Sequence, residues 1–314
     1  MRRFLRFVIS LISIAVLAAV CLGYFGYAVF TLDALAHFRL HFLLLCLPLA
    51  VLGVLLRDWV VLWRSAVIAV LAAAGLGVLW EEPRRDGGEV EVTVMTANLF
   101  QRNARTEEMQ RALLAEDADV LVTMETTKAV LSGPDSFALT YPYKLSLSTS
   151  GHTLRTVIWS KFPMRDGRLF LEDLVEPTGA MAIVEVSPDF EFSILGLHLA
   201  HNVVGNQQRQ IEAMDVIAES MPMPRVIVGD LNATAWSYAL RRIERLTATR
   251  RIGGFRVTWR GFYPTWIGSI RVPLGLQLDH ILLSNGIGVR KLETRSIPGS
   301  DHMAVKARIA LPGP

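Results

Sequence analysis

The chain has 314 residues, 52% hydrophobic and only 19% charged, a balance that excludes disorder and is too apolar for an ordinary soluble enzyme. Its formal net charge of +3 is unevenly placed: taking the six basic and two acidic residues of 1–80 from totals of 32 and 29 leaves 26 and 27 in the remainder. The part after residue 80 is therefore close to neutral, and the positive charge gives no inference to a nucleic-acid partner. Two cysteines, Cys21 and Cys46, lie in apolar runs and exclude a disulfide framework or a zinc-type Cys/His spacing.

In chain order, three apolar stretches come first: Phe7–Phe30, Leu40–Leu56 and Trp59–Trp80. Each approaches the ~20 residues that cross a hydrocarbon core of ~30 Å, so residues 1–80 are expected to form a membrane segment of about three transmembrane helices. A signal peptide is the alternative for the first stretch, but the run is long, has no clear small-x-small cleavage site and is followed by two more. With the N-terminus inside, Arg2, Arg3, Arg6, Arg57 and Arg64 are cytoplasmic against Arg39, Arg84 and Arg85 outside. That orientation places everything after Trp80 outside the cytoplasm, in the periplasm or beyond a bacterial inner membrane. The charges, Pro83, Gly87 and Gly88 of residues 81–88 mark a linker, and a second domain is expected over 89–314.

Val90, Val92 and Val94 alternate with polar residues and predict a strand ending at Thr96-Ala97-Asn98. Thr106–Glu116 has helical spacing, with Thr106 as a candidate N-cap, and Asp119–Met124 reads as a buried strand ending at Glu125. Further strands are expected at Thr156–Ser160, Ala180–Val186, Phe192–His198, Val226–Asp230, His280–Ser284 and His302–Ile309, with a helix at Gln207–Ser220. The domain is thus sheet-rich α/β. Asn98, Glu125, His198, Asp230 with Asn232, Asp279, and Asp301 with His302 each close or open an apolar run. Singly, each has a bland role: Asn98 in a turn, Glu125 capping the next helix, Asp230 in an Asx turn, His198 a satisfied core histidine. Strand ends on one edge of a sheet converge, however, and eight such residues together point to a site.

The strings Thr96-Ala97-Asn98, Met124-Glu125-Thr126, Gly196-Leu197-His198, Gly229-Asp230-Leu231-Asn232, Leu278-Asp279-His280 and Ser300-Asp301-His302 occur in the order of one family. Over about Val90–Ala310 the chain resembles the endonuclease/exonuclease/phosphatase superfamily, which includes DNase I-like nucleases, neutral sphingomyelinases and inositol-polyphosphate 5-phosphatases. The resemblance implies a DNase I-like four-layered α/β sandwich and Mg²⁺-dependent phosphoester hydrolysis, with Mn²⁺ as the alternative ion. It implies Glu125 as the principal metal ligand, Asn98 as an oxygen ligand or a donor to that carboxylate or the phosphate, and Asp301 near the metal. Asp230 and Asn232 would position the attacking water and the phosphate, with Asp230 as base. His302 resembles the family's essential histidine and Asp279 the carboxylate that fixes its tautomer, while His198 would contact phosphate from the opposite side. His201 reads as a surface histidine and His280 as packed within its strand.

One departure matters: many nucleases of the family carry an acid two positions after the first Asn, where this chain has Phe100, so one metal ion is expected. Arg241, Arg242, Arg245, Arg250, Arg251, Arg256, Arg260 and Arg271 are interleaved with Trp259, Phe262, Tyr263 and Trp266. Arg256, Arg260 and Trp266 are the substrate-binding candidates, a composition suited to a nucleic-acid backbone and bases or to an anionic lipid headgroup, though equally to a solvated helix face and a packed loop. The expected function is a membrane-tethered phosphodiesterase of nuclease type, partnered by the lipid bilayer and a phosphoester substrate, with no obligate protein partner evident. Rival readings are a phospholipid or lipid-linked phosphate hydrolase and an inactive membrane-tethered binding module.

Overall fold

The computed structural model describes residues 1–77, 87–131, 135–146, 156–170, 179–203, 206–265 and 268–313. The chain packs as two units, Met1–Trp80 with Thr234–Arg241, and Glu81–Ala233 with Arg242–Pro314. Most of the expected linker, 81–86, lies outside the described residues.

Helices Arg2–Leu22, Arg39–Leu56 and Trp59–Gly75 form the first unit. The first two are long and apolar enough to cross a membrane; the third is apolar but one residue shorter than the second. The first helix stops well before Phe30, giving way to short 3-10 turns at Gly23–Phe25 and Phe30–Leu32. Hydrogen bonds define two ends of this bundle. At one end Arg6 Nε donates to the Leu56 carbonyl at 2.8 Å, beside a turn in which Arg57 has a φ of 55° and Asp58 caps the third helix. At the other, the buried Arg39 guanidinium donates to the last carbonyls of two helices, Gly23 O at 3.4 Å and Gly75 O at 3.3 Å. A Cβ at Gly75 would stand 2.7 Å from that guanidinium, so a residue without a side chain is required there. Large apolar side chains including Phe7, Leu47, Leu55, Trp63 and Val70 are exposed around the bundle.

The second unit contains strands β1 (Glu91–Asn98), β2 (Val120–Met124), β3 (Tyr143–Ser146), β4 (Val157–Ser160), β5 (Met164–Phe170), β6 (Gly179–Ser187) and β7 (Phe190–His198). It continues with β8 (Arg225–Asp230), β9 (Thr249–Arg251), β10 (Phe262–Thr265), β11 (Gly268–Arg271), β12 (Asp279–Ser284), β13 (Gly288–Ser296) and β14 (Met303–Ala310). Two six-stranded mixed sheets have the orders β13-β14-β1-β2-β4-β3 and β5-β6-β7-β8-β12-β9, and β10 and β11 form a separate hairpin. Alternation makes the sandwich: Val92, Val94, Val120, Val122 and Ile309 of one sheet share a core with Ala182, Ile194, Val226, Val228 and Ile281 of the other. The opposite face of the first sheet, through Met95, Ala97, Leu121 and Trp159, packs with Met109 and Leu113 of helix Thr106–Ala115 and with Phe137 and Tyr141. The unit is an α/β sandwich of DNase I-like type, as expected.

Some local expectations are corrected. Thr106 starts its helix rather than capping it; Arg105 holds the cap position and makes no side-chain cap bond. The expected helix Gln207–Ser220 is two helices, Gln207–Glu212 and Met214–Ser220, joined at Ala213. His201 is half-buried rather than a surface residue, and burial first, then the nearby His198 and His302 charges, depress its pKa to about 4. Trp80 and Trp266 lie outside the described residues.

Register carries the fold into the site. In β8, His198 of β7 is the parallel partner of Asp230, and Asp279 of β12 is its antiparallel partner. Gly229 makes this approach possible: its φ is 143°, and a Cβ there would lie 1.9 Å from the Leu197 carbonyl oxygen. Gly229→Ala is expected to destabilise the protein by about 2–3 kcal/mol or more, because the obstructing atom is backbone and the φ is nearly glycine-only. A melting temperature lowered by several degrees in the full chain checks this; an unchanged one would mean that β7 and β8 can separate without loss.

Candidate active site

Four strand ends and one loop build the site. Asn98 closes β1, Glu125 follows β2 with a left-handed φ of 53°, His198 closes β7 and Asp230 closes β8. Asp279 opens β12, and Asp301 and His302 immediately precede β14. Since β1 lies between β2 and β14 in one sheet and β8 between β7 and β12 in the other, the sandwich delivers both groups of strand ends to one place.

Asn98 joins the two groups. Its oxygen accepts the Phe100 backbone N–H at 3.0 Å, which fixes the orientation of the amide because only the oxygen can accept. Its Nδ2 then donates toward Glu125 Oε1 at 3.2 Å and Asp230 Oδ2 at 3.0 Å. Of its two expected roles, Asn98 thus takes the donor's. Phe100, where an acid is common, serves through its backbone and has a left-handed φ of 57°. The other Glu125 oxygen accepts the Gln101 N–H at 2.8 Å.

The second group is a chain of charges. His302 Nδ1 lies 2.8 Å from Asp279 Oδ2, and its Nε2 is 3.6 Å from Asp230 Oδ2, which His198 Nε2 approaches to 3.8 Å. All but His198 are buried. Burial alone would lower the His302 pKa, but the charges of Asp279 and Asp230 and the bond to Asp279 outweigh it and raise it to about 10. Burial pushes Asp230 up to about 6, aided by the Asp279 charge and opposed by the histidines. Asp230, Asp279 and His302 have ligand atoms within 4.8 Å of one another, close enough to hold an ion. The chemistry argues against that use, since a histidine held as an imidazolium by two carboxylates has no lone pair for a cation.

Several residues support the site, of which Thr258 was not singled out from sequence. Thr258 Oγ1 accepts the N–H groups of Leu278 and Asp279, each at 3.0 Å, fixing the start of β12. Trp259 Nε1 donates to Asp301 Oδ2 at 3.1 Å, leaving Asp301 Oδ1 buried with no hydrogen-bond partner among the described residues. Ser300 Oγ donates to the Asn98 carbonyl at 2.7 Å and accepts the His302 N–H at 3.0 Å, locking the Ser-Asp-His turn onto β1. Asn232, with φ 45°, donates its N–H to Asp230 Oδ1 at 3.0 Å and its Nδ2 to the Leu199 carbonyl at 2.7 Å. His280 is packed within its strand as expected, and its Nε2 bonds to the Ala233 carbonyl at 2.7 Å. A threonine or tryptophan in a loop carries no sequence signal for these tasks; only the spacing of Ser300 from His302 hinted at one.

The arginine run does not form one surface. Arg245 lies on helix Tyr238–Thr247, Arg251 is buried against the Gly253 carbonyl, and Arg271 ends β11. Of the substrate-binding candidates, Arg260 is exposed, and its N–H donates to the Asp301 carbonyl at 3.1 Å. Arg256 is half-buried, and its N–H faces Gln277 Oε1 at 3.4 Å.

The Asp301 oxygen without a hydrogen-bond partner among the described residues and the anchored Glu125 carboxylate are each hard oxygen donors of the kind a divalent cation takes. A family protein from Bacteroides thetaiotaomicron superposes with a TM-score of 0.55 at 17% identity, covering 71% of this chain and 98% of its own. D. rerio TDP2 complexed with single strand DNA product superposes at 0.56 with 12% identity, over 70% of this chain and 99% of its own. Mannosyl-6-phosphatase Bt3783 of Bacteroides thetaiotaomicron does so at 0.52 with 17% identity, over 70% and 100%. These likenesses speak to the fold. No curated protein matches the sequence significantly. The pattern of the Endonuclease/Exonuclease/phosphatase family matches residues 95–302, two thirds of the chain, and includes Asn98, Glu125, His198, Asp230, Asp279 and His302; the chain belongs to that family and is a phosphoester hydrolase.

Proposed function

We propose that the protein is a divalent-metal-dependent phosphodiesterase, of nuclease type, tethered to a membrane with its catalytic unit outside the cytoplasm. The observation that carries the catalytic reading is the Asn98-bridged array in which Glu125 and Asp230 share one donor while Asp230 also faces two histidines.

Glu125 and Asp301 would hold Mg²⁺, or Mn²⁺ in its place, which would supply charge neutralisation at the phosphoryl oxygens. Asp230, ionised at neutral pH by virtue of a pKa near 6, accepts a proton from the attacking water. As oxygen adds to phosphorus and the ester P–O bond breaks, negative charge grows on the phosphoryl oxygens, and the His302 imidazolium stabilises it from a fixed position. Asp279 keeps that imidazolium charged and oriented. Asn232 orders the Asp230 carboxylate through its N–H, and His198 donates to the phosphate or the leaving oxygen. Arg260 supports a substrate-facing role through its position beside Asp301.

Membrane tethering is supported by the two qualifying helices and by the exposed apolar side chains around the bundle. The bundle's two ends also differ in charge as the positive-inside rule requires. Arg2 and Arg6 bond to the Leu56 carbonyl beside Arg57, while Arg39 at the other end is buried and bonded. Arg39 bonds to carbonyls at the ends of the first and third helices, which supports a third crossing beside the first two; at ~1.5 Å per residue the third helix nearly spans the core. A second reading, hydrolysis of a lipid-linked phosphoester, is favoured by the same bundle, which would keep the site near a bilayer.

The full chain in phospholipid vesicles, assayed on DNA, RNA, phospholipids and soluble phosphomonoesters with Mg²⁺ or EDTA, separates these readings. Hydrolysis is expected to require the ion and to fall at least about a hundredfold in Glu125→Ala and His302→Ala. Activity equal in both variants and in wild type would overturn the assignment. The pH profile adds an independent check. Activity should fall as pH drops through about 6, where Asp230 takes a proton, and again as pH rises toward about 10, where His302 loses one. In Asp279→Asn both limbs should move to lower pH, because the Asp279 charge raises both pKa values; an unmoved alkaline limb would show that His302 need not be protonated.

A further inference from the structure

Thr234–Arg241 begins two residues after Asn232, yet it belongs to the first unit together with the connection between that unit's first two long helices. The grip is made of buried hydrogen bonds. The Asp33 carboxylate accepts the first two amides of helix Tyr238–Thr247, Tyr238 N–H at 2.7 Å and Ala239 N–H at 2.9 Å. Ser237 Oγ accepts the third, from Leu240, at 3.1 Å. A carboxylate about two hundred residues away in sequence thus completes a helix cap that Ser237 makes only in part.

Around it, His37 Nδ1 faces Thr234 Oγ1 at 3.0 Å and accepts the Thr234 N–H at 3.3 Å. Trp236 Nε1 donates to the Ala36 carbonyl at 2.6 Å, and Arg39 Nη1 donates to the Trp236 carbonyl at 3.2 Å. Asp33, His37, Arg39, Thr234, Trp236 and Ser237 are all buried. The approach of the connection is close: a Cβ on Gly26 would lie 2.8 Å from the Asp33 side chain. Burying a carboxylate, a histidine and a guanidinium is costly unless each is paired and hydrogen-bonded, as these are.

Between Asp230 and this segment nearly every carbonyl is held. Leu199 N–H bonds to the Asp230 carbonyl at 2.9 Å, and Gln207 Nε2 to those of Leu231 and Asn232, each at 3.0 Å. His280 holds the Ala233 carbonyl and Ser237 Oγ that of Thr234. Asn232 sits in this series with its left-handed φ of 45°, a conformation that surroundings must impose on a non-glycine residue.

We infer that the Asp33–Arg39 connection is a latch on the catalytic strand end: by holding Thr234–Arg241 it keeps Asn232, and through it Asp230, in working position. Asp33, His37, Arg39 and Trp236 are positioning residues for the hydrolysis. The inference rests on the proposed roles of Asp230 and Asn232 for its effect on catalysis, and on geometry alone for the latch itself.

Two readouts on the full chain in vesicles test it: amide hydrogen exchange without substrate, and kcat and KM on whichever phosphoester the wild type cleaves. In Asp33→Ala, exchange at Tyr238 and Ala239 is expected to rise about tenfold, the order of a lost helix cap, with a rise also at Asn232. The kcat should fall about ten- to a hundredfold with little change in KM, as expected of a displaced catalytic group. Asp33→Asn, which retains one acceptor oxygen, should restore part of both. Trp236→Phe removes the bond to Ala36 together with part of the buried ring, leaves the Asp33 bonds in place, and should move the same readouts in the same direction, which keeps the test decisive if Asp33→Ala does not fold. Exchange unchanged at Tyr238 and Ala239 would overturn the latch; exchange raised there but not at Asn232, with kcat unmoved, would reduce it to a structural cap. A wild type that cleaves no substrate while Asn232 exchange still responds would instead refute the hydrolase reading and leave the latch standing.

Discussion

Everything at the site depends on the pairing of β8 with a parallel neighbour and an antiparallel one. A parallel pairing carries strands in the same direction, so β7 and β8 end together and His198 stands beside Asp230. An antiparallel pairing brings the start of one strand to the end of another, so Asp279 enters where Asp230 leaves. One mixed sheet thus sets three titratable groups side by side, with no loop needed to carry them. The close approach depends on Gly229, because any side chain there would meet the β7 backbone. The second sheet repeats the arrangement: β1 is parallel to β2 and antiparallel to β14, so Asn98, Glu125 and His302 meet at the corresponding edge.

The electrostatics follow from that packing. A buried histidine lies 2.8 Å from one buried carboxylate and 3.6 Å from another, so their charges are coupled. Burial penalises each charge, and the two acids partly repel one another, yet the histidine between them gains from both. The result is one firmly protonated imidazole and one carboxylate whose affinity for protons is raised into the useful range below neutrality. Glu125 is left half-buried and hydrogen-bonded at both oxygens from backbone and amide donors, with no cationic side chain against it among the described residues. The site thus divides its work by environment: a cationic half around His302 and an anionic half around Glu125, with Asn98 touching both.

Much of this was legible because strand ends have a simple signature, an apolar run that stops at a polar residue. Asn98, Glu125, His198, Asp230, Asp279 and His302 all announce themselves that way, and their common order gave the fold. Edge strands are harder to read. β5 pairs on one side only and is broken by a bulge at Asp166–Gly167, and β13 carries Arg290, Lys291, Glu293 and Arg295, a charged composition that blunts an edge and erases the alternation. The Thr106 cap was misread because Asx and cap preferences are local and weak. Thr258 carried no signal, and Trp259 and Ser300 were legible only as members of the Arg-aromatic run and the Ser-Asp-His string, because their effect lies in which distant group they meet. The arginines between the Gly-Asp-Leu-Asn and Leu-Asp-His motifs were legible as a composition only, and the fold spreads them over a helix, a buried strand and a hairpin.

The segment after Asn232 joins these threads. Its string, Ala233-Thr234-Ala235-Trp236-Ser237, is small and polar apart from one tryptophan, and reads locally as a helix start with Ser237 as cap. Ser237 does cap, but it satisfies one amide of the first three; the other two turn to Asp33. The helix therefore does not complete its N-terminus from neighbouring residues in sequence, and the missing acceptor is Asp33, about two hundred residues earlier. A carboxylate placed there is hard to replace by water, because the site is buried, and hard to replace by a neutral side chain, because two donors converge on it. Burial raises the Asp33 pKa, opposed first by the Ala239 and Tyr238 amides that it accepts and then by the charges of Arg241 and Arg39. Arg39 is also the residue that ties Gly23 to Gly75. The same guanidinium thus ties together the ends of two helices of the bundle and holds the carbonyl of Trp236.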